Sequence, residues 1–385
     1  MVSSVNSKLF QPFQLTSALS LRNRIVMAPM TTWSANDDGT ISTQELEYMR
    51  ERVKGVGLVI TGCTHVQESG LGFTREFAGF DDQFTPSLAQ LAQAAKSGGA
   101  PTILQIFHAG IKAIPDLIPD ADIVSASAVA ISAGPFKHQQ LASRALSHDE
   151  VLQLIHDFGE ATRRAIEAGF DGVELHGAHG FMIQNFFSPL YNQRDDVWGG
   201  SLEKRMAFPL AVVREVKRII QEHAQHSFVL GYRISVEEYE DSGLEIADSL
   251  ALIDQLIADG VDYLHVSLTD VLHAVPKHNL EQQLTIQQVL QRVANRIPVI
   301  AAGLLRTPQQ AEQALDLGLP LIAIGKALVM NPNWVELAQQ GRYDEITVEL
   351  NPADVPHLSI PDHLWQEIQV REGWFKLYQA KAKQA

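Results

Sequence analysis

Two histidines, His176 and His179, stand three positions apart within "GVELHGAHGFMIQNFF", residues 172–187. The apolar run before them reads as a buried strand, and the glycines among them as a turn. Paired imidazoles on such a turn suit three kinds of chemistry. They could hold zinc, with His265 as a third ligand. They could be a structural pair whose nitrogens are satisfied by neighbours. Or their N–H groups could converge on one oxygen and stabilise negative charge developing there. The zinc set is weak, because Tyr263, His265 and Ser267 share one face of a candidate strand and can all point the same way.

Other polar residues interrupt apolar runs. Arg233 lies within "FVLGYRIS". A guanidinium inside a core needs an anion, either a nearby carboxylate or a bound ligand. Gln105 in "TILQIF" can both donate and accept hydrogen bonds. Gly303 after "PVIAA", and Gly325 with Lys326 after "LIAI", have the composition of a phosphate site. Glycine lets backbone N–H groups approach an anion, a helix N-terminus adds its dipole, and lysine adds a point charge. The plainer alternative is two tight turns. Phosphate grip, amide, arginine and imidazole pair together call for a flat, phosphorylated cofactor. FMN fits that description. Pyridoxal phosphate fits less well, because no lysine stands at a central strand end to form the Schiff base.

Eight short apolar runs place these residues, starting at Arg24, Gly57, Thr102, Gly172, Phe228, Tyr263, Pro298 and Leu321. They are near-continuous, as strands buried on both faces are. Amphipathic stretches separate them. Gly169, Gly260 and Gly318 each follow such a stretch, where glycine takes the left-handed conformation that ends a helix. Ser147 and Glu150 form a capping-box pattern at the start of another. Repeated strand–helix units predict an α/β fold, a (β/α)8 TIM barrel with long βα-loop insertions. The candidate residues then fall at C-terminal strand ends, where barrels carry their chemistry. Long excursions follow Gln105 and His176. The stretch from Asn6 to Arg24 is expected to plug the barrel bottom. The expected organisation is one domain over 1–385, with the barrel at about 22–342 and a helical extension at about 343–385.

Composition narrows the class. The net charge is -15 and no Lys/Arg cluster occurs, so no nucleic-acid partner is expected. No run reaches about 18 apolar residues, so no membrane span is expected. The N-terminus lacks a secretory pattern, and a cytoplasmic setting is expected. Cys63 is the lone cysteine. It cannot form an internal disulfide or hold an iron–sulfur cluster, which takes about four thiolates. The expected partner is a small-molecule substrate, with a homo-oligomer left open.

At this point the chain resembles the old yellow enzyme family of FMN-dependent NADH:flavin oxidoreductases and ene-reductases, over roughly Lys8 to Arg342. The resemblance is carried by "LFQPFQL…LSLRNRIVMAPM", by "HGAHGFMIQNFFSPLYNQRDDVWGGSLEKR", and by "AAGLLRTPQQAEQAL" and "LIAIGKALVMNPNW". The long central stretch is the most specific. The resemblance implies FMN as cofactor and NADH or NADPH as reductant. Ala28, Pro29, Met30 and Thr31 would border the flavin, with the Thr31 hydroxyl near its C4 carbonyl. Cys63 would lie by the ring. Gln105 would bond the pyrimidine part, and Arg233 would stabilise the reduced flavin by charge. Gly303, Leu304, Gly325 and Lys326 would hold the phosphate. His176 and His179 would hold the oxygen of an activated alkene, and receive the nicotinamide in turn at the same pocket. Trp33 would line the pocket or pack the first loop.

The family usually has a proton-donating tyrosine where this chain has Phe181. A general acid contributes about 10²–10⁴-fold, so turnover need not vanish without it. Phe181 keeps open an alternative, a flavin- and phenol-binding protein with weak or different reductase activity. A metal-dependent barrel hydrolase using His176, His179 and His265 stands behind both. Arg194, Asp195, Glu203 and Arg205 are expected to form an ion-pair network fixing the loop after His176.

Overall fold

The computed structural model describes residues 7–131, 141–278 and 282–378. The ends of the expected domain, 1–6 and 379–385, lie outside the described residues. Eight parallel strands form the centre: β1 (Ile25–Met27), β2 (Leu58–His65), β3 (Thr102–Phe107), β4 (Gly172–Gly177), β5 (Val229–Ile234), β6 (Tyr263–Ser267), β7 (Val299–Ala302) and β8 (Leu321–Ile324). Each pairs with the next, and β8 pairs with β1 from Ile322 opposite Ile25 to Ile324 opposite Met27. That closes the barrel. Each predicted run starts within one residue of its strand, but the second strand runs on past the expected Thr61 to His65 and the fourth one residue further, to Gly177.

Helices alternate with the strands as the glycine punctuation predicts. The long ones are α1 (Thr43–Arg52), α2 (Thr85–Lys96), α3 (His148–Glu167), and, after a short α4 (Met182–Phe187), α5 (Leu202–His223) and α6 (Ile246–Ala258). Then come α7 (Thr285–Val293), α8 (Pro308–Asp316), α9 (Lys326–Met330), α10 (Trp334–Gln339) and α11 (Asp362–Val370). Ser147 caps α3 in a full capping box with Glu150. Gly169, Gly260 and Gly318 all have positive φ, at 83°, 82° and 101°.

Strand periodicity divides the core in two. Val173, Leu175, Tyr232 and Ile234 face outward and pack with Phe158, Val212 and Val216 of the helices. Val26, Leu58, Ile103, Val229 and Ile300 face inward. Leu15 and Leu21, from the hairpin Phe13–Thr16 and Leu19–Leu21, join that inner cluster. The hairpin is the expected plug, and burying each leucine is worth about 1.5–3 kcal/mol. Residues 352–378 include α11 and a return stroke. There the Leu350 N–H donates to the Lys376 carbonyl, and the Tyr378 N–H to the Leu350 carbonyl. Phe375 is buried in the outer core.

The loop after β4 corrects one expectation. Arg194 pairs with Asp196, at 2.6 Å, rather than Asp195. It also donates to the carbonyls of Ala126 and Leu146. Arg205 donates to the carbonyls of Phe187 and Gly200 and lies 3.9 Å from Asp248. Backbone carbonyls, not a four-residue ion network, hold this loop, because they are the acceptors a buried turn leaves without partners.

His108 is buried behind β3. Its Nδ1 accepts the Gly110 N–H and its Nε2 meets Ser69. Burial pulls its pKa down to about 3, with nearby His65 second. The unfolded chain therefore takes up a proton near pH 6.5 that the folded chain refuses until about pH 3. This residue's stabilising contribution is present above 6.5 and lost as the pH falls toward 3. His108→Gln should flatten the pH dependence of stability across that window, by about 2 kcal/mol at pH 5. Urea unfolding of both proteins from pH 7 to pH 4 measures it.

Candidate active site

The inward positions of β4, β5 and β6 form one polar tier. Glu174 and His176 lie on β4, Arg233 on β5, and Tyr263, His265 and Ser267 on β6. Register brings them together, since His176 lies opposite Arg233 and Arg233 opposite His265. Gly231 sits between Glu174 and Tyr263. A Cβ there would stand 2.1 Å from the Tyr263 ring, so only glycine lets that ring cross to β4.

Glu174 is the hub, and sequence reading missed it. It is fully buried. It accepts hydrogen bonds from Gln105 Nε2 at 2.6 Å, Tyr263 OH at 2.9 Å and His265 Nδ1 at 3.0 Å. Burial pushes its pKa up. The fields of His265 and Arg233 and the bonds it accepts outweigh that, and hold it below the ordinary carboxylate value. Glu174 is thus the ionised partner that Arg233 demanded. Burial lowers the His265 pKa, and the Glu174 carboxylate opposes that shift. The orientation of His265 toward Glu174 turns it away from the zinc role considered above. Among the described residues, no three His, Cys, Asp or Glu side chains gather into a metal-holding group.

Above this tier opens a cavity of about 1,620 Å³. A single drug-sized ligand occupies about 300–1,000 Å³, so there is room for two molecules. Ala28, Pro29, Met30, Thr31, Trp33, Cys63, Gln105, His176, His179, Phe181, Arg233, Gly303, Leu304, Gly325 and Lys326 all line it. The structure brings every site residue expected from sequence into one space. The Cys63 thiol donates to Gln105 Oε1 at 3.2 Å, and burial keeps it protonated. Gln105 is therefore held on both sides of its amide.

The histidines have set tautomers or nearly so. His176 Nδ1 accepts the Ala178 N–H at 3.3 Å, which leaves its proton on Nε2. His179 takes a left-handed φ of 60°, and its N–H is held by Ser235 Oγ. Its Nε2 lies 2.7 Å from Ser267 Oγ, which also receives Arg233 Nη2 at 3.2 Å. The two imidazole rings are 5.0 Å apart. Both sit well below the ordinary histidine pKa, desolvation first. His179 faces the open cavity, but protein surrounds it and Arg233 and Lys112 add repulsion. Phe181 packs edge-on to His176 at 4.8 Å and to Phe107 at 4.9 Å.

The far end carries positive charge. Lys326 and Arg306 line the cavity together, and Lys326 is lowered by burial and then by Arg306. Gly303 has φ 156°, and Leu304 has a left-handed φ of 52°. A Cβ at Gly303 would stand 2.5 Å from the Leu268 carbonyl. The C-terminal segment closes over this end, where Lys326 donates to the Trp374 carbonyl at 2.8 Å. Trp374 packs edge-on to Trp33 at 5.6 Å, so Trp33 both lines the cavity and packs the tail. Sequence reading missed Arg306, Trp374 and Lys112. For Arg306 the signal was present, three residues past Gly303.

FMN fits these residues. Arg233 Nε is buried with no hydrogen-bond partner in the protein, and the cations at the far end match a phosphate. A TIM barrel whose cavity joins an arginine, a cationic end and an imidazole pair suits a flavin-dependent oxidoreductase. Comparison with known proteins makes this specific. Residues 8–345 match the NADH:flavin oxidoreductase / NADH oxidase family. The chain is 43% identical to the "Probable NADH-dependent flavin oxidoreductase YqiG" of Bacillus subtilis, over 95% of this chain and 97% of that protein. Its fold superposes on an old yellow enzyme homologue from Zymomonas mobilis with a TM-score of 0.75, at 24% identity, covering 87% and 93% of the two chains. A morphinone reductase in complex with tetrahydroNAD gives 0.74 at 26% identity, over 87% and 91%. The chain belongs to the NADH:flavin oxidoreductase / NADH oxidase family, the old yellow enzymes, and is an NAD(P)H-dependent FMN oxidoreductase. It acts on small molecules. No helix among the described residues is long and apolar enough to cross a membrane.

Glu174→Ala should cost about 3–5 kcal/mol, because Arg233 is left as an unpaired buried charge. Urea denaturation of the variant measures the loss. A cost below about 1 kcal/mol would contradict the hub role.

Proposed function

We propose that this enzyme reduces the C=C bond of α,β-unsaturated carbonyl compounds and related activated alkenes. The observation that carries the reading is the imidazole pair beside the cavity. His176 presents Nε2–H. Ser267, fed by Arg233, donates to His179 Nε2 and leaves the His179 proton on Nδ1. Two neutral N–H donors then hold one carbonyl oxygen and draw charge onto it as the β-carbon accepts hydride. The nicotinamide carboxamide uses the same donors in turn, which gives a ping-pong cycle at one pocket.

FMN, when bound, supplies the hydride relay between nicotinamide and alkene. Ala28, Pro29, Met30, Thr31 and Cys63 would border it, with Thr31 as the hydroxyl that would tune it. Gln105 and Arg233 would hold its pyrimidine side, and Gly303, Leu304, Gly325, Lys326 and Arg306 its phosphate. The tail segment with Trp374 shields that end from water. Residues 1–385 act as one FMN-binding domain.

Phe181 favours a second reading, a flavin- and phenol-binding protein with weak turnover, because its ring has no proton to give. The test is one cuvette. Purified, FMN-loaded protein should bleach anaerobically with NADH or NADPH and regain its colour on adding 2-cyclohexenone. Bleaching without recovery across a panel of enones and nitroalkenes would leave only the second reading.

Two variants probe the residues. His176→Ala with His179→Ala should weaken binding of a phenolate by about 100-fold or more, since two hydrogen bonds to its charged oxygen are lost, while FMN stays bound. Difference absorption reads both. Phe181→Tyr should speed reoxidation by an enone if proton supply limits it, within the range of about 10²–10⁴-fold known for general acids. Stopped-flow reoxidation gives that rate, and no change would mean another group already supplies the proton.

A further inference from the structure

The cations of the cavity can be matched to anions one by one. Arg233 faces the Glu174 carboxylate. Lys326 and Arg306 stand where the cofactor phosphate belongs. Arg371, at the tail, pairs with Glu367. Among the described residues, Lys112 has no such match. Its ammonium lines the cavity on the substrate side, 5.5 Å from the centre of the Phe181 ring. One N–H goes to the His179 carbonyl oxygen, at 2.5 Å. An ammonium has three N–H donors, so two remain. The charged groups facing it are Glu238 and Glu240. Glu238 is already filled by Gln184, Ser188 and the Leu244 N–H. Glu240 stands at the cavity edge, beyond ion-pair distance.

Lys112 is also held in register with the imidazole pair. It ends the short turn Gly110–Lys112. The Ile111 N–H of that turn donates to Asn185 Oδ1 at 3.1 Å, and Asn185 Nδ2 donates to the Gly180 carbonyl at 2.9 Å. A single fully buried asparagine thus ties the lysine's turn to the loop that carries His179 and Phe181. The space between offers donors at the histidines, an apolar face at Phe181, and a cation beyond. An ammonium held at an apolar ring gains most from an anionic partner.

We propose that the substrate is an activated alkene that carries a carboxylate, and that Lys112 binds that carboxylate while His176 and His179 hold the activating carbonyl. This rests on the ene-reductase reading and names its substrate class. Burial lowers the Lys112 pKa, and an incoming carboxylate would raise it again.

The test uses FMN-loaded protein and phenols, whose hydroxyl occupies the imidazole pair. Binding of 3- and 4-hydroxybenzoate is compared with binding of the uncharged 3- and 4-hydroxybenzamides, read from the absorption change of the bound cofactor. The wild type should bind at least one benzoate about ten-fold tighter than its amide, as one charge-assisted contact allows. Lys112→Met should erase that preference while amide affinity is kept. Lys112→Arg should keep most of it. A wild type without preference, or a preference that survives Lys112→Met, overturns the proposal with the ene-reductase reading intact. If neither benzoates nor amides bind, the imidazole-pair reading fails and this inference falls with it. If Lys112→Met instead slows reoxidation by neutral 2-cyclohexenone and leaves the preference untouched, the lysine is a proton donor and the carboxylate site is wrong.

Discussion

A carboxylate buried in the middle of a barrel constrains everything around it. Glu174 has no access to water, so each of its lone pairs must be met from within. Three strands meet that demand, through Gln105 on β3 and Tyr263 and His265 on β6, with Arg233 of β5 supplying the charge. Of these, Gln105 and Arg233 also line the cavity. The network that keeps the barrel's polar interior satisfied therefore also fixes the side chains that face the cofactor. Arg233 spends one nitrogen on Ser267, and Ser267 touches His179. Ordering passes in this way from the buried acid to the imidazole pair without a flexible link.

Charge runs along the cavity in sequence. Lys326 and Arg306 stand at one end, Arg233 with its compensating Glu174 in the middle, and neutral imidazoles beyond. Lys112 marks the outer edge. The neutrality of the histidines has a physical cause, since burial and the nearby Arg233 and Lys112 both disfavour a second proton. Neutral imidazoles donate without adding full charge. Arg233 supplies positive charge to the cavity, and Glu174 offsets part of it.

Much of this was legible in the sequence. The strands were visible because parallel barrel strands are apolar on both faces and glycine closes the intervening helices, as at Gly169, Gly260 and Gly318. His176, Arg233 and Gln105 stood out because each breaks an apolar run. Glu174 also breaks one, but its partners lie 69 to 91 positions away, and only strand register joins them. Lys112 sits in an irregular loop where no periodicity marks a side chain's direction. Trp374 and the tail reach the cavity through long-range packing that composition does not announce. At Arg194, the choice of Asp196 over Asp195 is made by the local turn, where the side chain two positions on is the one that can bend back.

The central claim is that Glu174 sets the charge that Arg233 shows to the cofactor. The midpoint potential of bound FMN in Glu174→Gln, compared with wild type, tests it most directly. Glutamine keeps the shape and two acceptor lone pairs but removes the negative charge. The potential should rise, because the reduced, electron-rich flavin then faces an arginine that nothing offsets. An unchanged or lowered potential, in a variant that still binds FMN one to one, would contradict the account.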